Sequence, residues 1–210
     1  MSYICLAMSR EGAVMAGDSR LTVPVFPTSQ TFHLDMARKV YRSAGGATLW
    51  GWTGLVNRGL IHFPTVIRWI MGRDEVPIDE RLEQVKRFLC RFTRPFRIKK
   101  SKPQAPIVNL IYCVKNPEGG YLAGSLCVYN GKVYDEKRYG APVFLEDGMN
   151  MRQLSHPRFF RPGNKDAVVY MRDRMRVRVR ESIDKDRSLG EADPNYLVTI
   201  GGPIKVVCMR

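Results

Sequence analysis

The first apolar positions of the chain predict a β-hairpin at its start. Residues 3–8 form a continuous apolar run of strand length, residues 9–12 form a turn, and residues 13–17 form a second apolar run. If residue 8 faces residue 13 across this turn, residue 3 faces Asp18 at about 5 Å, the spacing of neighbouring strands. Because neither run alternates with polar residues, we expect both faces of these strands to be covered, as in a layered sandwich.

Further apolar runs predict the remaining strands. They have strand length and are bounded by residues that favour turns. The predicted strands are residues 47–53, 108–114, 121–129, 132–134, 196–200 and 204–208. Asn130-Gly131 predicts a hairpin turn between two of them. Trp50 and Trp52 alternate within the first of these strands, so we expect them in the core.

Apolar residues at helical spacing predict helices over residues 55–71, 79–92 and 166–186. Asp79 is expected to cap the second helix, and Trp69 lies on the apolar stripe of the first. Alternating arginines favour a strand in the third segment, but its apolar stripe runs too long for a normal strand, so we predict a helix. Residues 143–164 hold Gly and Pro without a steady period, which indicates a long connection or a surface insertion.

Composition is typical of one soluble domain. The chain has 210 residues, 44% of them hydrophobic, and no linker or low-complexity tract divides it. No apolar run reaches the ~18 residues of a membrane span, and the start lacks the pattern of a signal peptide. The 5 cysteines are odd in number and lack close pairs, which suits a reducing compartment. We therefore expect a single domain over residues 1–210, soluble and cytoplasmic.

Candidate chemistry centres on the start of the chain. Ser2 becomes the terminal residue if Met1 is removed, and its hydroxyl then shares a residue with a free amine. Such an amine titrates near pH 7.7–8 and can serve as the base that a hydroxyl nucleophile needs. A lysine at position 39, paired with Asp18 beside the terminus, would favour the neutral amine. Gly54 follows a predicted strand, where a backbone N–H could receive a tetrahedral oxyanion.

These residues carry a resemblance to a known family. Ser2, Gly12, residues 16–22, Lys39 and Gly54 resemble the N-terminal pattern of proteasome β-type subunits, which are N-terminal nucleophile hydrolases. Two later tracts, residues 136–143 and 198–204, resemble the bacterial ancestral-β-subunit (Anbu) group. The spacing from Ser2 to Asp18 is similar without a gap, whereas the tract from Asp18 to Lys39 is longer here.

The resemblance implies an α+β fold, specifically a four-layer αββα sandwich, and peptide-bond hydrolysis through a covalent acyl-enzyme. Ser2 would be the nucleophile and, through its amine, the general base. Asp18 would orient Lys39, which would tune that amine, and the N–H of Gly54 would receive the oxyanion. Thr22 would offer backbone pairing to an extended substrate.

The resemblance also bears on partners and cofactors. It implies a peptide or protein substrate and a homo-oligomer in the form of a ring or a helical assembly. An ATP-driven partner is compatible with it. The chemistry needs no cofactor, and the scattered histidines at positions 33, 62 and 156 do not indicate a metal site.

Departures from the family pattern affect the site. Proteasome catalytic subunits usually begin with threonine; serine keeps the hydroxyl but lacks the methyl group that restricts its rotamer. A late Gly-Ser-Gly element is replaced here by residues 135–137, so Glu136 is only a positional stand-in for the helper serine. The assisting late acid or hydroxyl stays open among Asp184, Asp186, Asp193 and Thr199.

The charge excess suggests a second kind of function. The chain has 34 basic and 20 acidic residues, a formal net charge of +14. Residues 86–102 hold many of the basic residues, interleaved with Phe88, Phe92 and Phe96, and such a tract can grip phosphates and stack bases. The alternative, which we favour, is that the phenylalanines pack inward from the end of a helix. Nucleic acid is then the less favoured partner, and an acidic protein or neighbouring subunit is the expected one.

Three functions therefore remain. We favour an N-terminal serine hydrolase of peptide or other amide bonds, with acyl transfer to another amine as a variant of the same chemistry. A catalytically inactive structural subunit of a proteasome-like assembly would keep the fold and lose the chemistry. A basic nucleic-acid-binding module is the third. Against the inactive subunit, Ser2, Asp18 and Lys39 occur together, which a structural role does not require.

Overall fold

The structure is a computed structural model of the chain. It describes residues 3–24, 31–54, 57–58, 60–94, 107–147, 152–153, 166–193 and 198–210. Ser2, Phe96 and the basic residues 97–102 lie outside the described residues.

The described residues form a mixed α/β fold. The helices are α1 (Phe63–Met71), α2 (Ile78–Phe92) and α3 (Ala167–Ala192). The strands are β1 (Ile4–Met8), β2 (Ala13–Gly17), β3 (Leu21–Pro24), β4 (Thr31–Leu34), β5 (Val40–Arg42), β6 (Thr48–Gly54), β7 (Asn57–Arg58), β8 (Ile61–His62), β9 (Ile107–Lys115), β10 (Tyr121–Tyr129), β11 (Lys132–Gly140), β12 (Val143–Asp147), β13 (Arg152–Gln153) and β14 (Lys205–Met209).

Two antiparallel five-stranded sheets contain most of these strands. Sheet A has the order β13-β12-β1-β2-β14, and sheet C has the order β11-β10-β9-β6-β5. Two short hairpins stand apart from them: β3 and β4 form sheet B, and β7 and β8 form sheet D. The described part of the fold thus combines two antiparallel sheets with three helices.

Three hydrophobic clusters join these elements. The first contains Trp50 and Trp52 and lies between sheet C and the helices α1 and α2. The second lies between the two sheets and includes Leu6 of β1 and Ile111 of β9. The third lies between the other face of sheet A and α3, and includes Met175. A sheet with a cluster on each face has few solvent-exposed positions, which explains why polar alternation is absent from β1 and β2.

The predicted register of the first hairpin is confirmed. Met8 pairs with Ala13 and Ile4 pairs with Gly17, so the next positions outward are Tyr3 and Asp18. The turn is closed by a hydrogen bond from Ser9 N–H to the Gly12 carbonyl at 2.9 Å. All residues of both strands are buried, as the uninterrupted apolar runs indicated.

The first helix begins later in the chain than the sequence pattern predicted. The helix begins at Phe63 rather than residue 55, because residues 57–58 and 61–62 pair as the short hairpin β7-β8. Pro64, at the start of the helix, has the backbone angle that a first turn requires. Trp69 does not join the core: it is 65% exposed, with the Arg73 guanidinium over its ring.

The second helix agrees with the prediction apart from its cap. It begins at Ile78 with Pro77 as the N-cap, so Asp79 lies in the first turn, where a carboxylate still interacts favourably with the helix dipole. Phe88 and Phe92 pack with Phe63 at ring-centroid distances of 5.1 and 6.4 Å. The expectation that these phenylalanines pack inward is therefore confirmed for the two that are described.

The later part of the chain differs more from the prediction. Residues 143–147, expected within a long connection, form β12, because they pair with β1 from Val143↔Met8 to Asp147↔Ile4. β11 continues to Gly140 instead of stopping at residue 134. The helix α3 is confirmed and runs on to Ala192, with Asp166 accepting a capping hydrogen bond from Val169 N–H. Residues 198–200, predicted as strand, are not in a strand.

No helix in the described ranges is both long and apolar enough to cross a membrane.

The third cluster can be tested on α3 itself. Replacing the fully buried Met175 by Ala is expected to lower the free energy of unfolding by about 2–5 kcal/mol, because it leaves a cavity between α3 and sheet A. Val177→Ala, on the half-exposed side of the same helix, should change it by no more than about 0.5 kcal/mol. Urea unfolding followed by circular dichroism measures both, and equal losses would contradict the packing described.

Candidate active site

Asp18 lies directly after β2 and is bound to the start of β1. The Tyr3 N–H donates to Asp18 Oδ1 at 2.7 Å, and the Asp18 N–H donates to the Tyr3 carbonyl at 3.1 Å. The side chain of Asp18 is 0% exposed. The hairpin therefore brings a buried carboxylate to the residue that follows Ser2.

Lys39 lies directly before β5 and pairs with this carboxylate. Its Nζ is 2.8 Å from both Oδ1 and Oδ2 of Asp18, and the residue is 4% exposed. Burial lowers the pKa of Lys39, and the attraction of Asp18 opposes that shift. The Lys39 carbonyl accepts a hydrogen bond from Trp52 N–H at 3.2 Å, which ties the lysine to β6.

Other backbone groups complete the surroundings of Asp18. Oδ2 accepts from Arg20 N–H at 3.1 Å and from Gly201 N–H at 3.2 Å. A carboxylate held by several N–H groups keeps its orientation. Asp18 can therefore fix the direction in which the Lys39 ammonium points.

The 199–201 segment is held in turn by a buried acid on α3. Asp186 Oδ2 accepts from Thr199 N–H at 2.6 Å and from Ile200 N–H at 2.7 Å. Of the late acids that the sequence left open, Asp186 is buried, whereas Asp184 and Asp193 are exposed. A signal was present in the sequence: position 186 continues the apolar stripe through Val179 by helical spacing, so its side chain had to face inward.

The other candidates for an assisting group have different surroundings. The Glu136 carboxylate forms an ion pair with Lys86 of α2 at 2.7 Å, so it is engaged on the helix side of sheet C. The Thr199 hydroxyl is buried next to the Asp186 contacts and has no hydrogen-bond partner within the part of the chain that the structure describes.

A cleft borders the ion pair. It has a volume of about 550 Å³, and its lining includes Lys39, Gly54, Leu21 and the stacked pair Tyr41 and Trp52. The size lies in the usual range of small-ligand and peptide-side-chain sites. Lys39 and Gly54, named from sequence for different roles, therefore line one cavity.

Gly54 ends β6 in a conformation that excludes other residues. Its φ is +100°, and a Cβ at this position would lie 2.0 Å from the Ile107 carbonyl oxygen.

Thr22 belongs to β3, where its backbone pairs with His33 of β4. Leu21 and His33 both line the cleft, so this hairpin runs along its wall.

Comparison with known proteins gives limited information. No protein-family model and no curated protein matches the sequence. Among solved structures, the chain is similar to an Anbu (Gly-1) mutant from Hyphomicrobium sp. strain MC1 at 13% sequence identity and a TM-score of 0.44. The alignment covers 100% of this chain and 82% of that chain. A likeness at this level leaves the function to be argued from the residues of the site.

The burial of the Asp18–Lys39 ion pair can be tested by its contribution to the free energy of unfolding. Asp18→Asn removes the charge but keeps the size, and leaves the Lys39 ammonium buried without a counter-charge, so the loss in unfolding free energy should be about 3–5 kcal/mol. Adding Lys39→Met should recover part of that loss, because the unpaired charge is then gone. Asp135→Asn is the matched control, since Asp135 pairs with the exposed Lys137 at 3.0 Å. We expect no measurable change for this control in urea unfolding; an equal loss at both sites would overturn the assigned burial.

Proposed function

We propose that this protein is an N-terminal serine hydrolase that cleaves peptide or other amide bonds through an acyl-enzyme on Ser2. The observation that carries the proposal is the buried Asp18–Lys39 pair bound to the Tyr3 N–H at 2.7 Å. Tyr3 directly follows Ser2 in the sequence, so the pair is bound to the residue next to the proposed nucleophile. A buried charge pair is costly to desolvate, and a location beside the terminus is a reason to retain it.

The proposed reaction begins after Met1 is removed. The Ser2 hydroxyl attacks the amide carbon while the α-amine takes the hydroxyl proton. The carbonyl oxygen becomes an oxyanion, for which the Gly54 N–H is the proposed donor. The amine then passes its proton to the leaving nitrogen, and the acyl group stays on Ser2 as an ester. Water attacks the ester, which releases the acid and restores the hydroxyl.

The charged residues have supporting roles in this scheme. The Lys39 cation lowers the proton affinity of the neighbouring amine, so more of that amine is neutral and able to act as a base. Asp18 orients Lys39 and balances its charge. The scheme needs no cofactor or metal.

The cleft suggests how a substrate would bind. Its wall of Leu21, Tyr41 and Trp52 is apolar, which suits an apolar side chain next to the cleaved bond. Under the proposal an extended peptide pairs with the backbone around Thr22 on β3.

The proposal also covers the assembly. We propose that the three hydrophobic clusters are the interiors of a four-layer αββα sandwich. The chain would form a homo-oligomer in the cytoplasm and act on peptides or proteins, with an ATP-driven partner as an open option.

A nucleic-acid-binding function has less support, because Phe88 and Phe92 are packed against Phe63 and are not free to stack on bases.

The direct test is covalent labelling of the terminal residue. We expect the purified, methionine-free protein to gain the mass of one acyl group when treated with a peptide electrophile that acylates terminal hydroxyls, located on Ser2 by fragmentation in the mass spectrometer. The Ser2→Ala variant should gain none. A free Ser2 that stays unlabelled would reject the hydrolase and favour the inactive structural subunit.

The pH dependence of labelling follows from the charges. The labelling rate should rise with pH as the terminal amine loses its proton near its ordinary pKa of about 8 or below. Above that pH the amine is neutral whether or not Lys39 is charged, so the rate should reach a plateau. In Lys39→Met the rising limb should move to higher pH, since the neighbouring cation no longer disfavours the protonated amine. Identical profiles for both proteins would contradict the role of Lys39.

A further inference from the structure

Tyr3 connects the Asp18–Lys39 pair with the side of sheet A that packs against α3. Its backbone N–H and carbonyl are both bonded to Asp18. Its side chain lies on the opposite side of sheet A, in the cluster packed against α3, and the residue is 4% exposed. Tyr3 is therefore a link between the ion pair and the α3 side of the sheet.

The phenol of Tyr3 ends in a buried charged group. Its O–H donates to Glu146 Oε2 at 2.6 Å. Glu146 is 7% exposed, on β12 opposite Cys5. Arg178 of α3 holds the same carboxylate with both arms of its guanidinium, Nε to Oε2 at 3.0 Å and Nη2 to Oε1 at 3.1 Å. We call Tyr3, Glu146 and Arg178 the anchor triad.

The anchor triad is well suited to hold one geometry. Burial raises the pKa of the Tyr3 phenol, and Glu146 raises it further, so the O–H stays protonated and donates to the carboxylate. Arg178 balances the charge of Glu146 and orients it in a bidentate arrangement. Hydrogen bonds to charged groups are stronger than neutral ones, particularly where water is excluded.

A nucleophile at a chain terminus reacts efficiently only if the terminus is held in place. β1 begins at Ile4, so Tyr3 already lies beyond the regular strand, in the part of a chain that ordinarily frays. The side chain of Tyr3 instead joins β12 and α3. A nucleophile misplaced by about 1 Å can lose two orders of magnitude in rate.

The helix α3 supports Asp18 by a second route. Asp186 lies about two turns after Arg178 and holds the segment that leads to Gly201, whose N–H binds Asp18 Oδ2. The anchor triad supports the other oxygen, Oδ1, through the N–H of Tyr3. Residues of α3 thus support both oxygens of the Asp18 carboxylate indirectly, one through Tyr3 and the other through Gly201.

We propose that Tyr3, Glu146 and Arg178 are positioning residues that hold residue 2 in reacting geometry against the Lys39–Asp18 pair, without touching the substrate. This inference rests on the proposed function for its catalytic consequence. A merely structural tie would change stability alone. A positioning role changes the rate of the chemical step and leaves substrate binding nearly unchanged.

The test compares two tyrosines that each lose one hydroxyl. Tyr3→Phe removes the donor to Glu146. Tyr112→Phe is the matched control, because the Tyr112 hydroxyl is equally buried but has no hydrogen-bond partner among the described residues. Both variants are labelled with the same peptide electrophile, and the maximal labelling rate and the half-saturating concentration are measured across pH.

We expect Tyr3→Phe to lower the maximal labelling rate at least tenfold with less than a twofold change in the half-saturating concentration. Glu146→Gln, which keeps the shape and removes the charge, should do the same. Tyr112→Phe should label like the unmodified protein. A Tyr3→Phe rate within twofold of the control would overturn the proposal, even if the melting temperature falls.

Hydrogen exchange of the Tyr3 and Ile4 amides separates this inference from the proposed function. Both amides should exchange at least tenfold faster in Tyr3→Phe than in Tyr112→Phe, whether or not the protein is a hydrolase. Faster exchange in a protein whose free Ser2 is never labelled would reject the hydrolase and keep the anchor. Unchanged exchange would reject the anchor, whatever the labelling shows.

Discussion

The buried ion pair between Asp18 and Lys39 constrains the whole site, because neither charge could stay inside the protein without the other. Its two residues come from different layers: Asp18 follows β2 of sheet A, and Lys39 precedes β5 of sheet C. The pair forms only when the two sheets have packed on each other. Formation of the candidate site is therefore coupled to completion of the core between the sheets, which includes Leu6 and Ile111.

The helix α3 does more than cover sheet A. Its inward face carries an apolar stripe, but two polar groups, Arg178 and Asp186, lie beside that stripe and contact segments that reach Asp18. Polar groups next to a packed core have few alternative partners, so each contact is specific in geometry. The same face of one helix thus supplies both hydrophobic stabilisation and the orientation of the site.

Charge is distributed differently inside and outside the protein. Three acids near the site have basic partners: Asp18 has Lys39, Asp35 has Arg20, and Glu146 has Arg178. The net charge of +14 therefore belongs to the rest of the chain, where it acts over longer distances on acidic partners and substrates. Because Phe88 and Phe92 pack against Phe63, their rings do not provide a surface on which bases could stack next to these positive charges.

Local patterns were sufficient for much of the fold. The hairpin register, the bounds of β10 and the existence of α3 agree with the sequence analysis, because turn length, apolar runs and helical spacing involve neighbouring residues. The predicted start of α1 was wrong because residues 57–58 and 61–62 pair as a short hairpin. β12 was missed because its strand conformation comes from pairing with β1, far away in the chain.

For the site, the sequence by itself predicted that Asp18 lies beside Tyr3, since pairing of residue 8 with residue 13 across a four-residue turn brings these two residues together. It also singled out Lys39 and Gly54, which line one cleft in the structure. Helical spacing already placed position 186 on the inward stripe of α3. Only the tertiary structure decided what this side chain contacts, the segment leading to Gly201, and that Tyr3 and Arg178 meet at Glu146. Tyr3 and Glu146 are 143 residues apart, and Glu146 and Arg178 are 32 residues apart. Contacts of this kind are specified by the packing of the sheets and α3 rather than by any local pattern.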